Sequence, residues 1–188
     1  MTGLTRGVVI SPPMAPHRIA LLFNANKVYD RQVIAGIGHY LNSTRVEWDL
    51  FMEEDFRSRM RDIRQFRGDG VIADFDDPEA PETLSDLHIP VVAVGGSYHD
   101  PANYPAEVPY IATDNARLIR LAYDHLIEQG LTRFAFYGLP PHPTSRWAHE
   151  REHAFRAIVE EESVEGLVYQ GSPTSAGGWG QAVEELVT

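Results

Sequence analysis

The sequence predicts an α/β fold: a mostly parallel sheet with helices on both of its faces. Three observations predict it. Short apolar runs alternate with amphipathic stretches along most of the chain, the order that parallel strands joined by crossover helices require. The stretch from Val108 to Gly138 shows one whole unit: an apolar run, an acid, a helical pattern, a glycine, then a second apolar run. Acids also collect just after the apolar runs, at Asp74, Asp76, Asp77 and Asp114, where an open α/β sheet places ligand chemistry.

The elements follow in order. Met1 to Pro16 reads as a loose tail, because Pro12, Pro13 and Pro16 oppose regular structure. Arg18 to Phe23 is the first strand and Asn24 to Lys27 its C-terminal loop. A helix starting near Asp30 follows, with Val33, Ile34, Ile37, Tyr40 and Leu41 on its apolar face. Val46 to Met52 is a strand. The helix after it carries Phe56, Met60, Ile63 and Phe66 on one stripe and Arg57, Arg59, Arg61 and Arg64 mostly outside it. Gly70 to Phe75 is the third strand, and Asp77-Pro78-Glu79 starts a helix with a cap, a first-turn proline and an acid at the positive helix end. Pro90 to Val94 is the fourth strand, and Gly95 to Pro109 a proline-broken loop.

Val108, Tyr110, Ile111 and Ala112 suit a buried parallel strand. Asp114 can cap the next helix, whose apolar face is Leu118, Ala122 and Leu126, widened by Ile119, Tyr123 and Ile127. Gly130 ends it. A strand starts at Phe134. After the stiff Pro140, Pro141 and Pro143 loop, a helix from about Ser145 to Glu162 uses Trp147, Ala154, Phe155, Ile158 and Val159. Leu167 to Tyr169 is a strand, Ser172 to Gly180 is small and flexible, and Gln181 to Val187 begins a last helix.

Composition narrows the function classes. The 188 residues carry a formal net charge of -11, and so acidic a surface repels phosphates. The sequence contains no cysteine, which removes disulfide and thiolate chemistry. Met1 to Pro16 lacks the pattern of an export signal, and no apolar run is long enough to cross a membrane. A cytoplasmic protein without membrane partners is expected.

The pattern I-A-T-D-N, helix, E-Q-G-L-T-R-F-A-F-Y-G resembles the effector-binding fold shared by LacI-type repressors and periplasmic sugar-binding proteins. Within that group, Arg18–Leu41, Asp69–Asp77, Val94–His99 and the E-R-E and A-F-R segments around Arg151 closely resemble the N-terminal half of bacterial xylose operon regulators. The likeness runs from about His17 to Gln170. It implies a periplasmic-binding-protein-like chain: residues 1–16 a tail, 17–130 a first lobe, and 131–188 an incomplete second lobe. It also implies D-xylose as effector, a homodimer, no cofactor and no catalysis. DNA would be reached only through an AraC-type helix-turn-helix domain further along the regulator, outside this chain.

Candidate site residues each have a second, structural reading. Tyr29, Asp30 and Arg31 supply an aromatic, an acceptor and a forked donor just past a parallel strand, groups that suit a sugar; the same run is also a capped helix start. Asp74 and Asp76 can accept from hydroxyls or be solvated loop acids. Ser97, Tyr98 and His99 follow two glycines that either admit a ligand near the backbone or form a plain turn. Asp114 is a cap, and the resemblance also places an acid there beside the cleft. For Arg151, four residues before Phe155, the resemblance implies a guanidinium facing the sugar; a surface ion pair with Glu150 or Glu152 is the alternative. Trp147 can stack on a sugar ring or fill the core.

His149-Glu150-Arg151-Glu152-His153 satisfies H-E-x-x-H, which places both histidines on one helix face. A metal-dependent hydrolase is therefore an alternative function, and an exported sugar-binding protein another. Zinc chemistry needs a third ligand, and the sequence around Glu160 to Glu162 offers none in pattern. The sequence has no P-loop, no G-x-G-x-x-G after a strand and no G-x-S-x-G.

Overall fold

The computed structural model describes residues 15–52 and 63–171. The expected tail, most of the helix with Phe56 and Met60, and the segments Ser172 to Gly180 and Gln181 to Val187 lie outside the described residues.

Strands β1 (His17–Leu22), β2 (Trp48–Phe51), β3 (Gly70–Asp74), β4 (Val91–Gly96) and β5 (Tyr110–Thr113) form a five-stranded sheet in the order β2-β1-β3-β4-β5. Every pairing in it is parallel. A second, parallel pair is made by β6 (Arg133–Gly138) and β7 (Glu165–Gln170). The helices are α1 (Val28–Ser43), α2 (Glu79–Leu84), α3 (Asn115–Glu128) and α4 (Arg146–Glu162). The end of the expected Arg-rich helix, where described, is a 3₁₀ turn at Ile63–Gln65.

Side-chain alternation along the strands feeds two cores. On one face Ala20, Leu22, Val71, Ala73, Val91 and Ala93 pack with Ala80 and Leu84 of α2. On the other, Ile19, Leu21, Phe23 and Val94 pack beneath Tyr29, Val33, Ile34 and Ile37 of α1. Helices thus cover both faces of the first sheet, as expected.

Helix α3 starts and ends on local chemistry. Asp114 Oδ1 accepts from Arg117 N at 2.9 Å, and Gly130 closes the helix at φ 80°. Its packing differs from the sequence reading. Tyr123, with Ile119 beside it, joins Phe134, Phe155 and Ile158 in a third core, whereas Leu118, Leu126 and Ile127 stay 38–42% exposed. The helix is rotated because α4 and β6 are what it packs against, and they meet the Ile119–Tyr123 side. It therefore packs on α4 and on β6 of the second sheet.

Strand β4 also runs two residues further than expected. Gly95 and Gly96 pair with Ala112 and Thr113 in the ladder rather than forming a turn. A Cβ on Gly95 would collide with the Tyr110 hydroxyl, and one on Gly96 would stand 2.8 Å from Asn115 Nδ2. The two glycines are there for close approach, not for a bend.

Candidate functional site

The strand order reverses between β1 and β3, the switch point at which an open α/β sheet leaves a crevice beyond its strand ends. A cleft of about 140 Å³ opens there. Its floor comes from the C-terminal ends of the first sheet: Lys27, Tyr29 and Asp30 after β1, Asp76 after β3, Gly96 on β4 and Thr113 on β5. Its far wall is Asn115 at the start of α3 with Trp147 and Arg151 of α4.

Asp30 is fully buried. Its Oδ2 accepts from Asn24 N at 2.7 Å, while Oδ1 has no partner among the described residues. Burial, reinforced by the charge of Asp74, raises its pKa from the usual carboxylate range to about 6. Lys27 spans the switch point and donates to Asp74 Oδ2 at 2.7 Å. Burial works against the Lys27 charge, but the bond to Asp74 and the charge on it hold the lysine pKa above its ordinary value.

Asp74 Oδ1 in turn accepts from Asp76 N at 2.9 Å. Asp76 accepts from Gly96 N at 3.1 and 3.2 Å through its two oxygens and is paired with Arg146. Burial raises the Asp76 pKa even though Arg146 opposes it. Tyr29 is fixed by a bond from Thr113 Oγ1 at 3.0 Å.

Across the cleft, Arg151 Nε donates to Asn115 Oδ1 at 3.0 Å, and its guanidinium lies 4.7 Å from the Trp147 ring centroid. Burial lowers the Arg151 pKa. Asn115 is buried, and its Nδ2 has no partner among the described residues. Among the described residues, the cleft thus presents one orphaned acceptor, Asp30 Oδ1, and one orphaned donor, Asn115 Nδ2. Buried polar atoms without partners are disfavoured, and both of these belong to residues that line the one cleft.

Of the residues singled out in the sequence, Tyr29, Asp30, Asp76, Trp147 and Arg151 line this cleft. Asp74 stands behind it and holds Lys27 and Asp76. Arg31 is exposed and donates from Nη1 to Ala25 O at 2.7 Å, bracing the β1–α1 loop. Asp114 is exposed, occupied as the α3 cap, and lines a separate open groove of about 860 Å³ with Tyr104 and Arg120. Sequence reasoning did not single out Lys27, Thr113 or Asn115, while Gly96 belonged to the glycine pair read as either admitting a ligand or forming a turn. Of those three, only Asn115 had a signal, as the neighbour of a strand-end acid that opens a helix.

The H-E-x-x-H helix is arranged differently from a metal site. Glu150 Oε2 accepts from His99 N at 2.8 Å and stands 3.0 Å from His99 Nδ1. The His153 ring lies against His99, with centroids 4.2 Å apart. Among the described residues no group of three or more His, Cys, Asp or Glu side chains is placed to hold a metal ion. The hydrolase alternative finds no support in this geometry.

Comparison with known proteins places the chain in a family. Residues 18–116 match the XylR N-terminal domain, and residues 123–187 match a periplasmic binding protein-like domain. The chain belongs to the XylR N-terminal domain family. The xylose operon regulatory protein of Escherichia coli strain K12 is 55% identical to this XylR-family chain over 170 residues, which is 90% of the chain and 43% of that protein. The solved structure of XylR, a xylose-binding transcription activator, matches with a TM-score of 0.76 at 52% identity, covering 92% of this chain and 43% of the other. A lac repressor dimer shares the fold, with a TM-score of 0.68 at 16% identity over 93% of this chain and 62% of that one. The chain spans less than half the length of the curated relatives it matches. No helix of the described residues is long and apolar enough to cross a membrane.

Proposed function

We propose that this chain is the sugar-sensing part of a xylose-responsive transcription regulator, and that D-xylose binds between the first sheet and helix α4. The observation that carries the reading is the pair of orphaned polar atoms, Asp30 Oδ1 and Asn115 Nδ2, in one small cleft. A cleft of about 140 Å³ lies well below the ~300–1,000 Å³ of drug-sized sites, which suits one small ring. A pentose hydroxyl both donates and accepts, so one ring can satisfy Asp30 and Asn115 together. Trp147 supplies a flat apolar face and Arg151 a fork for adjacent hydroxyls. Family membership and the relatives' names support xylose over other polyols.

The site residues under this reading are Tyr29, Asp30, Asp76, Trp147 and Arg151, joined by Lys27, Thr113 and Asn115. Asp74 acts through Lys27 and Asp76. Sugar bridges the two sheets, so it binds the closed arrangement better than an open one, which is the condition for it to shift an equilibrium. In the regulator of which this sensor is part, closure biases a homodimer so that helix-turn-helix domains reach paired DNA half-sites. That role places the protein in the cytoplasm.

Isothermal titration of the full-length regulator with D-xylose, L-arabinose and D-ribose tests the reading. Saturable binding of D-xylose, tighter than of the other two, is expected. A flat response to all three pentoses contradicts it.

A further inference from the structure

Arg146 opens α4 and was not among the residues that the sequence singled out. A cation in the first turn of a helix faces the positive end of the helix dipole, which is locally unfavourable. Its partners explain its position, and every one of them belongs to the first sheet or to the loops after β3 and β4. Nη1 donates to Gly96 O at 3.0 Å, with Ser97 O at 3.4 Å. Nη2 donates to Asp76 and to the Tyr110 hydroxyl, the latter at 3.0 Å. The guanidinium lies 3.8 Å from the centroid of the Tyr98 ring, itself packed against Tyr104 and Tyr110. One helical turn later, Glu150 takes the backbone and ring of His99.

Helix α4 therefore grips the segment Gly96–His99 at two points of opposite charge, spaced i and i+4. Arg146 does not line the cleft, while Asp76 and Gly96, two of its acceptors, do. It touches the site only through groups that the ligand also meets.

We propose that Arg146 is an interlobe latch: a positioning residue that holds helix α4 against the first sheet and orients Asp76, so that lobe closure is set partly by Arg146 and partly by the sugar. The guanidinium fork is what the socket reads. Two carbonyls, one carboxylate and one hydroxyl are addressed from two nitrogens, while the planar face stacks on Tyr98; an ammonium cannot do all of this at once. The proposal rests on the sugar-sensing reading for the identity of the ligand, but not for the contact between the lobes.

The test uses the full-length protein with a dye pair at Asn42→Cys and Glu160→Cys, exposed positions on α1 and α4, to read lobe separation by energy transfer. Without sugar, Arg146→Met is expected to increase the separation. With D-xylose it should weaken binding about 10-fold or more, within the usual range of coupling between sites, and saturating sugar should restore the wild-type separation. Arg146→Lys should fall between the two, a graded rescue that a simple folding defect would not give. Should Arg146→Met fail to fold, Tyr98→Leu carries the test, with a shift towards the open separation and an about 3-fold loss of affinity. Wild-type separation and affinity in the variant that folds overturn the latch. A wild-type protein that ignores every pentose, yet opens on Arg146→Met, sinks the sugar reading and leaves the latch standing.

Discussion

The first sheet carries apolar cores on both faces, with Ala20, Leu22 and Ala73 fully hidden on one side and Leu21 and Phe23 on the other. Among the described residues the β6–β7 pair has a single core, around Phe134, Phe155 and Ile158, with Leu167 of β7 56% exposed. The two regions also differ in what they bring to the cleft. The first sheet contributes a connected network from Lys27 through Asp74 and Asp76 to Gly96. The second contributes Trp147 and Arg151 of α4 and Asn115 at the start of α3. A network satisfied within one sheet is preorganised, whereas a wall attached by a few contacts can move. The division of labour suits a sensor, with a fixed floor that recognises and a wall that reports.

The largest expected effect strikes the weaker region. Phe155→Ala removes the ring at the centre of the only core beneath β6–β7 among the described residues, and should destabilise that region by about 3–5 kcal/mol. Hydrogen exchange should then show loss of protection in β6, β7 and α4 with β1, β3 and β4 unaffected. Uniform loss across both sheets would show that they melt as one unit and erase the comparison.

Next comes the floor. Asp30→Asn keeps the shape but exchanges a charged acceptor for a neutral amide, and should weaken D-xylose binding about 10- to 100-fold, the scale of a hydrogen bond to a charged group. The same residue sets a pH dependence. The folded protein holds the Asp30 proton more tightly than the unfolded chain, since its pKa is about 6 against 3.8. The contribution of Asp30 to stability is therefore greatest at low pH and declines as pH rises from 3.8 to about 6. Sugar hydroxyls donate best to the carboxylate, so binding should instead tighten over that rise. Denaturant melts and titrations at about pH 5 and about pH 7, with Asp30→Asn as the control that removes both trends, check the two signs. Affinity independent of pH would place Asp30 away from the sugar.

The smallest effects belong to residues that the structure places outside the cleft. Asp114→Ala removes a cap and should lower stability by about 1 kcal/mol while leaving the sugar affinity within about 2-fold, a shift smaller than one neutral hydrogen bond supplies. A large loss of affinity with unchanged stability would return Asp114 to the site.

What was legible follows the same division. Asp114 and Gly130 were readable because a cap and a left-handed stop are local chemistry, settled within a few residues. Strands β1, β3 and β4 were readable because burial leaves continuous apolar runs; β5, expected to be buried, is an edge strand with Ile111 61% exposed. The face of α3 was not, because Leu118 and Leu126 fit helical spacing as well as Ile119 and Tyr123 do, and only the position of α4 chooses between them. Lys27, Gly96, Thr113 and Asn115 come from the ends of three strands, β1, β4 and β5, and nothing in the spacing at one end says that the others stand beside it. Glu150 and Glu152 read as surface ion-pair partners for Arg151, yet both are buried. Glu150 is satisfied by His99, and Glu152 by Arg156 and Gln170, partners up to 51 residues away.

A crystal structure of the full-length regulator with D-xylose tests the central claim most directly. The sugar should lie between the first sheet and α4, with hydroxyls within hydrogen-bonding distance of Asp30 Oδ1, Asn115 Nδ2 and the Arg151 guanidinium. A sugar bound in the open groove beside Tyr104 and Arg120, with Asp30 and Asn115 still unpartnered, would contradict it.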